Sequence, residues 1–214
     1  MRGAGPQHKE ALVSAIETVA GVQTTLDGVP TSGMLDGDLI RVAMAAQGCT
    51  RESIDLVIQG VMNESVRVYS NTCQDELVSK VCPGAQELLA QLQREGCVLG
   101  VVTGNISGIG WKKLELAGLR DFFSVGAFAE DADIRAGVAK IAAARALTAG
   151  LVDERCQIAL IGDHQNDIAA AKANGYRSVG VASGFSTAAE LALLQPDVLV
   201  RDLTELDAAI LWAE

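Results

Sequence analysis

Two stretches of the sequence carry side chains whose types and spacing could do chemistry. The first is Ile158-Ala159-Leu160-Ile161-Gly162-Asp163-His164-Gln165-Asn166-Asp167, an apolar run that opens through a glycine into an acidic loop. Two carboxylates at the end of a strand can hold one hard cation, with water filling its remaining positions. Asp167 has a plainer use as well, as a cap for the helix that the following residues predict. The two roles are compatible. Asp163, at the strand end, has no comparable structural use. The second stretch is Val101-Val102-Thr103-Gly104-Asn105. A hydroxyl followed by loop and helix-start amides makes an anion site suited to phosphoryl oxygens. Alone, a Thr-Gly-Asn turn is a common way to begin a helix. Its weight comes from its place at the end of a second strand, on the same sheet edge as Asp163. A cation should neutralise a bound anion and hold the acidic elements together. Arg135, opening an alanine-rich helix, and Lys140, five residues inside it, are the candidates. Either could also be a solvated helix charge.

The elements that must position these loops follow from hydrophobic periodicity. The pattern divides at Val81-Cys82-Pro83-Gly84. Before it, apolar residues at helical spacing predict helices over 8–20, 38–47 and 52–69. A Gly/Pro/Ser/Asp-rich loop over 27–37 separates the first two. After it, helices are expected at 85–95, 107–117, 135–149, 167–174, 188–194 and 204–211. Strands are expected at 97–102, 122–128, 157–161, 178–181 and 198–200. Alternating strands and helices imply a parallel α/β sheet with right-handed crossovers. Ligands bind such sheets at the carboxyl ends of their strands, where Thr103 and Asp163 fall. The expected organisation is a helical unit over 1–80 and an α/β core over 81–214.

Composition excludes several classes of function. The 214 residues, 49% hydrophobic, are ample for a core. A net charge of −10 repels phosphate backbones, so no nucleic acid partner is expected. Aromatics, at 4%, are too few for a stacking platform. No apolar run approaches the roughly 20 residues that span a bilayer. The opening Met1-Arg2-Gly3-Ala4-Gly5 lacks the apolar stretch of a signal peptide. Five cysteines without a CxxC pair read as reduced thiols, hence a cytoplasmic protein. Cys97 and Cys156 are expected to be small buried apolar residues. The sequence assigns no oligomeric state.

Taken together, Val101-Val102-Thr103-Gly104-Asn105, the 160–167 loop, and Ala170-Ala171-Lys172-Ala173-Asn174-Gly175 resemble the haloacid dehalogenase superfamily. The phosphoglycolate-phosphatase-like branch is the nearest match. Val179-Gly180-Val181-Ala182-Ser183-Gly184 and Pro196-Asp197-Val198-Leu199-Val200 look like its last strands, and residues 1–80 look like its helical cap. Gly33-Met34-Leu35-Asp36 stands near a typical substrate loop of that cap. The resemblance implies a Rossmann-like parallel core and Mg²⁺-dependent hydrolysis of a small phosphorylated metabolite. By it, Thr103, with Gly104 and Asn105, binds the phosphoryl group, and Asp163 ligates Mg²⁺. Asp167 supports or ligates the metal, and Arg135 or Lys140 fills the family's lysine role. His164 and Gln165 depart from the usual Thr or Ser and Pro. A surface histidine is the plainer reading of His164.

The family's nucleophilic aspartate, in an Asp-x-Asp-x-Thr motif ending its first strand, has no match here. Asp36-Gly37-Asp38 has the spacing but follows a Gly-rich loop. Asp131-Ala132-Asp133 follows a strand, but the wrong one. The opening residues look like sequence just after that motif. In the family the absent strand lies between those matching 98–102 and 157–161, so the sheet should lack a central strand. Three readings follow, in order: a misassigned start with an active enzyme encoded slightly upstream; an inactive relative that still binds anions; a partner that supplies the strand. A non-catalytic binding protein is therefore the rival function. A haloacid dehalogenase proper is third, although it needs no metal and the paired aspartates argue against it.

Overall fold

The computed structural model describes residues 6–74 and 76–212. The expectation for the opening Met1–Gly5 lies outside them. The chain begins with three helices, α1 (Gln7–Ala20), α2 (Asp36–Ala45) and α3 (Arg51–Thr72). In α1 the apolar residues recur at helical spacing, so Ala11, Leu12, Ala15 and Ile16 share one fully buried face. They pack with Leu39, Ile40 and Met44 of α2 and Ile54, Val61 and Tyr69 of α3. Thr50 caps α3, its hydroxyl oxygen accepting the Ser53 N–H at 3.2 Å. The cluster also takes in Ile106 and Ile109. The helical unit is thus packed on the start of a core helix.

Beyond Pro83 the elements alternate as the pattern requires. They are α4 (Ala85–Arg94), β1 (Gly100–Val102), α5 (Ser107–Leu116), β2 (Val125–Ala127), α6 (Arg135–Thr148), β3 (Ala159–Gly162), α7 (Gln165–Ala173), β4 (Arg177–Val181), α8 (Ala188–Ala192), β5 (Val198–Val200) and α9 (Ala208–Trp212). Three differ clearly from expectation. The strand expected over 122–128 is regular only at 125–127, because Arg120–Phe122 forms a 3₁₀ turn. The strand expected over 97–102 is regular only at 100–102, because the Cys97 N–H still closes the end of α4 on the Leu92 carbonyl. The helix expected over 204–211 is a 3₁₀ turn, Leu203–Glu205, followed by α9. Asp202 accepts the Thr204 N–H and Asp207 the Ile210 N–H, so two aspartates start two separate turns.

Every strand pair is parallel, but the strands form two sheets, β1-β2 and β3-β4-β5. The register shows which edges are free. The Thr103 N–H bonds to the Ala127 carbonyl, and the Leu99 carbonyl accepts from Ser124, so odd-numbered residues of β1 face β2. Backbone groups alternate sides along a strand. Gly100 and Val102 therefore direct theirs at the opposite edge. By the same alternation, with Ile158 facing Arg177, Ala159 and Ile161 of β3 point away from β4. Among the described residues no strand pairs with either edge. Cys97 and Leu99 pack into the same apolar cluster as Ala159 and Ile161, so the two sheets are neighbours.

All five cysteines are free thiols. Contrary to expectation, Cys97 and Cys156 are only half-buried, and Cys73, the C-cap of α3, is the buried one. Among the described residues no helix is long and apolar enough to cross a membrane.

Candidate active site

Thr103 directly follows β1 and Asp163 directly follows β3, so both lie at carboxyl ends of parallel strands. One segment before α2 joins the two loops. Asn166 Nδ2 donates to the Gly33 carbonyl at 2.9 Å, and the Asp36 N–H donates to the Gly104 carbonyl at 2.7 Å. Gly33 and Asp36 are three residue steps apart, at most about 10–11 Å of extended chain, so one short segment touches both loops. The segment is the Gly33-Met34-Leu35-Asp36 stretch that the sequence singled out. The contact is close: a β-carbon at residue 104 would overlap the Met34 carbonyl, and one at residue 33 would overlap the His164 ring.

The acidic loop is built around its two aspartates. Asp167 is 6% exposed. Its Oδ2 accepts the His164 N–H at 3.3 Å, and its Oδ1 lies 3.0 Å from Arg135 Nε. Burial pushes the Asp167 carboxyl up, outweighing the Arg135 cation that favours its charge; nearby Asp163 pushes it the same way as burial. Asp167 thus caps α7 and pairs with a cation, and both of its oxygens are engaged. Gly162 does not take a left-handed backbone; it is needed because a β-carbon there would overlap the Asp167 side chain. Asp163 is the open carboxylate, lying against Gly184, while its carbonyl accepts the Ser186 N–H at 3.0 Å. His164 is neither a free surface residue nor an exposed neighbour of the acids. It is the N-cap of α7, Nδ1 accepting the Asn166 N–H at 3.1 Å, with its ring against Gly33.

Of the two candidate cations, the structure brings in Arg135. Its Nε faces Asp167, while its buried Nη1 makes no hydrogen bond among the described residues and is left for an anion. Lys140 is exposed on α6.

The anion loop differs in one respect from expectation. The amides at the start of α5 are already occupied by protein carboxylates. The Ile106 N–H donates to Asp36 Oδ2 at 2.8 Å, and the Ser107 N–H meets both oxygens of Glu130 at 3.0 and 3.1 Å. The Asn105 N–H donates to Thr103 Oγ1 at 3.2 Å. The donors left among the described residues are the Gly104 N–H, the Thr103 hydroxyl, which keeps its own hydrogen to give, and Asn105 Nδ2.

Asp36 and Asp131, from the two Asp-x-Asp stretches, are structural. Asp131 is held bidentate by Arg145 at 2.6 and 2.7 Å and caps the Phe128 N–H. Sequence reasoning missed His8, Asp36, Lys113 and Glu130 as neighbours of the anion loop. Lys113 had a signal: it stands four residues after Ile109 and three after Gly110, on the buried face of α5.

Comparisons with known proteins bear on the family and the fold. The chain is 29% identical over 144 residues to phosphoglycolate phosphatase from Shigella boydii, covering 67% of this chain and 56% of that protein. It is 30% identical over 128 residues to phosphoglycolate phosphatase from Escherichia coli, covering 60% of this chain and 50% of that protein. The chain therefore spans about half the length of the curated relatives it matches. Among solved structures, β-phosphoglucomutase from Clostridium difficile aligns with a TM-score of 0.67 at 16% identity, over 97% of this chain and 89% of that one. CbbY from Rhodobacter sphaeroides, solved in complex with phosphate, aligns with a TM-score of 0.62 at 21% identity, over 96% and 91%. These structural likenesses establish the fold. The model of the family described as haloacid dehalogenase-like hydrolase matches residues 48–181, more than half of the chain and the span holding Thr103, Arg135, Asp163 and Asp167. By that match, the chain belongs to the haloacid dehalogenase-like hydrolases.

Proposed function

We propose that the chain forms most of a Mg²⁺-dependent phosphatase acting on a small phosphorylated metabolite, its site completed by a strand seated between β1 and β3. One observation carries this reading. A loop with anion-type donors and a loop with cation-type carboxylates end two parallel strands, and a four-residue segment links them. The phosphoglycolate phosphatase relatives favour a small phosphate monoester as substrate.

The donor set suits Mg²⁺, a hard cation that takes one or two carboxylates and keeps several waters. Asp163 would hold it directly, with Asp167 beside it as a positioned second carboxylate. When bound, the ion offsets negative charge on the phosphoryl group. Thr103 and Asn105 would donate to phosphoryl oxygens, and Arg135 would add its unused buried Nη1 while holding Asp167 in place. The unit over 1–80 would serve as a cap over the core of 81–214, its Gly33–Asp36 stretch excluding water from above. The attacking carboxylate would arrive at the end of the added strand, from an upstream extension or from another chain. The free thiols suit a reducing, cytoplasmic setting.

The test is phosphate release from p-nitrophenyl phosphate and a panel of small phosphate esters. It uses a version of the chain preceded by a strand ending in Asp-x-Asp, with Mg²⁺ and with EDTA. Mg²⁺-dependent release that disappears in Asp163→Ala supports the reading. An inactive extended version, unchanged by Asp163→Ala, overturns it in favour of a non-catalytic binding protein.

A further inference from the structure

Beneath the anion loop lies a buried polar chain that the proposed chemistry does not use. Lys113, on α5, is 6% exposed, and Asp36, at the start of α2, is 1% exposed. Lys113 Nζ lies 2.8 Å from Asn105 Oδ1 and 3.2 Å from His8 Nδ1, and His8 Nε2 lies 3.0 Å from Asp36 Oδ2. The same Asp36 oxygen accepts the Ile106 N–H. Lys113 also stands 5.7 Å over the Tyr69 ring, with Cys73 close by on α3.

Donor and acceptor counting fixes the orientations. A protonated lysine only donates, so His8 Nδ1 must accept from it, and the imidazole proton then sits on Nε2, facing the Asp36 carboxylate. Likewise the Asn105 oxygen must face Lys113. Its nitrogen is therefore turned the other way, and no described residue accepts from it. A buried cation is costly to maintain, yet here it is surrounded by groups that all fix one orientation of one amide.

We propose that Lys113 is a positioning residue of the anion loop, turning Asn105 Nδ2 outward to donate to a bound tetrahedral anion, and that His8 and Asp36 hold Lys113 in place. The anion loop is then set from the helical unit, since His8 and Asp36 belong to α1 and α2 while Asn105 and Lys113 belong to the core. The inference rests on the proposed phosphoryl site. It adds a lysine and two residues of the helical unit that control the site without touching the ligand.

Titration provides the handle. Burial pulls the Lys113 ammonium down to about 8, against the opposing pull of the Asp36 carboxylate. The groups facing it are Asp36 from α2, His8 from α1, Tyr69 and Cys73 from α3, and Asn105 from the loop. A neutral amine accepts as well as donates, so above that pH the Asn105 amide is free to turn over.

The experiment has two arms on the full chain. The first follows the Asn105 side-chain amide by ¹⁵N NMR between about pH 6.5 and 9.5, with Asn105→Ala for assignment. The resonance should move with a midpoint near 8 and stay still in Lys113→Met. A flat resonance in the wild-type chain overturns the proposal. The second arm measures binding of tungstate, a tetrahedral dianion whose charge is constant above neutral pH, with Mg²⁺ present. Lys113→Met and Asn105→Ala should each weaken it about tenfold, with no further loss in the double variant. Lys113→Arg should restore part of the loss. Additive losses overturn the proposal. If neither Asn105→Ala nor Thr103→Val changes tungstate binding, the phosphoryl-site reading fails, while the NMR midpoint still decides whether Lys113 orients Asn105.

Discussion

Replacing Asp36 with alanine should destabilise the chain more than replacing any other carboxylate in α2. The side chain is 1% exposed and satisfies two donors, the Ile106 N–H at 2.8 Å and His8 Nε2 at 3.0 Å. It is also the carboxylate that faces the buried Lys113 ammonium. Leaving one buried N–H without a partner costs about 1–3 kcal/mol. Removing one member of a buried charge pair costs about 3–5 kcal/mol. The groups share one network, so the terms overlap, and the expected loss is about 3–5 kcal/mol. That is a large part of the roughly 5–15 kcal/mol that keeps a domain folded. Asp36→Asn keeps an acceptor for Ile106 but loses the charge, and should cost about half as much. Asp38, two residues on, is pushed up by burial, which outweighs the favourable Arg41 charge, so its ionised form is not stabilised on balance. Asp38→Ala should change stability by less than about 1 kcal/mol. Urea unfolding at neutral pH reads all three. An Asp36→Ala loss below about 1 kcal/mol would instead mean that the network can be dismantled without leaving anything buried and unpaired.

Three further outcomes follow from the same geometry. Lys113 loses its proton near 8 in the folded chain and near 10.5 in the unfolded one. The unfolded state therefore binds more protons between those values, and stability should rise with pH across that window, by up to about 3 kcal/mol. The rise should appear as a difference between wild type and Lys113→Met, because Cys97 and Tyr176, both pushed up by burial, act in the opposite sense. An unchanged difference across the window would contradict it. Gly184→Ala should displace the Asp163 carboxylate and weaken Mg²⁺ binding at least about tenfold by calorimetry; equal affinity would remove Asp163 from the metal site. In hydrogen exchange, the amides of Val102 and Ile161, which face the free edges, should exchange faster than those of Val101 and Leu160, which face partner strands.

Much of the fold was legible because the buried residues are apolar and periodic. The helices at 85–95 and 135–149 and the strand at 198–200 were readable in this way. Boundaries failed where side chains intervene: Asp202 and Asp207 divide the last helix by offering the backbone local acceptors. The acidic loop stands out for a different reason: a carboxylate directly after a strand, as at Asp163, has no evident structural use. What could not be read was which donors would already be taken. The amides of Ile106 and Ser107 are consumed by Asp36 and Glu130, 70 and 23 residues away in sequence, and no local pattern announces such pairings. The role of Gly162 was likewise hidden: spacing suggests a turn, whereas the constraint is the Asp167 side chain packed against it.

Under the proposed function, the two loops form a phosphoryl site that a further strand completes by carrying the attacking carboxylate. The most direct measurement is the rate of p-nitrophenyl phosphate hydrolysis at saturating Mg²⁺ by the chain alone and by the version preceded by an Asp-x-Asp strand. The account predicts a gain on the order of a thousandfold or more for the extended version. Equal rates from two folded proteins would contradict it.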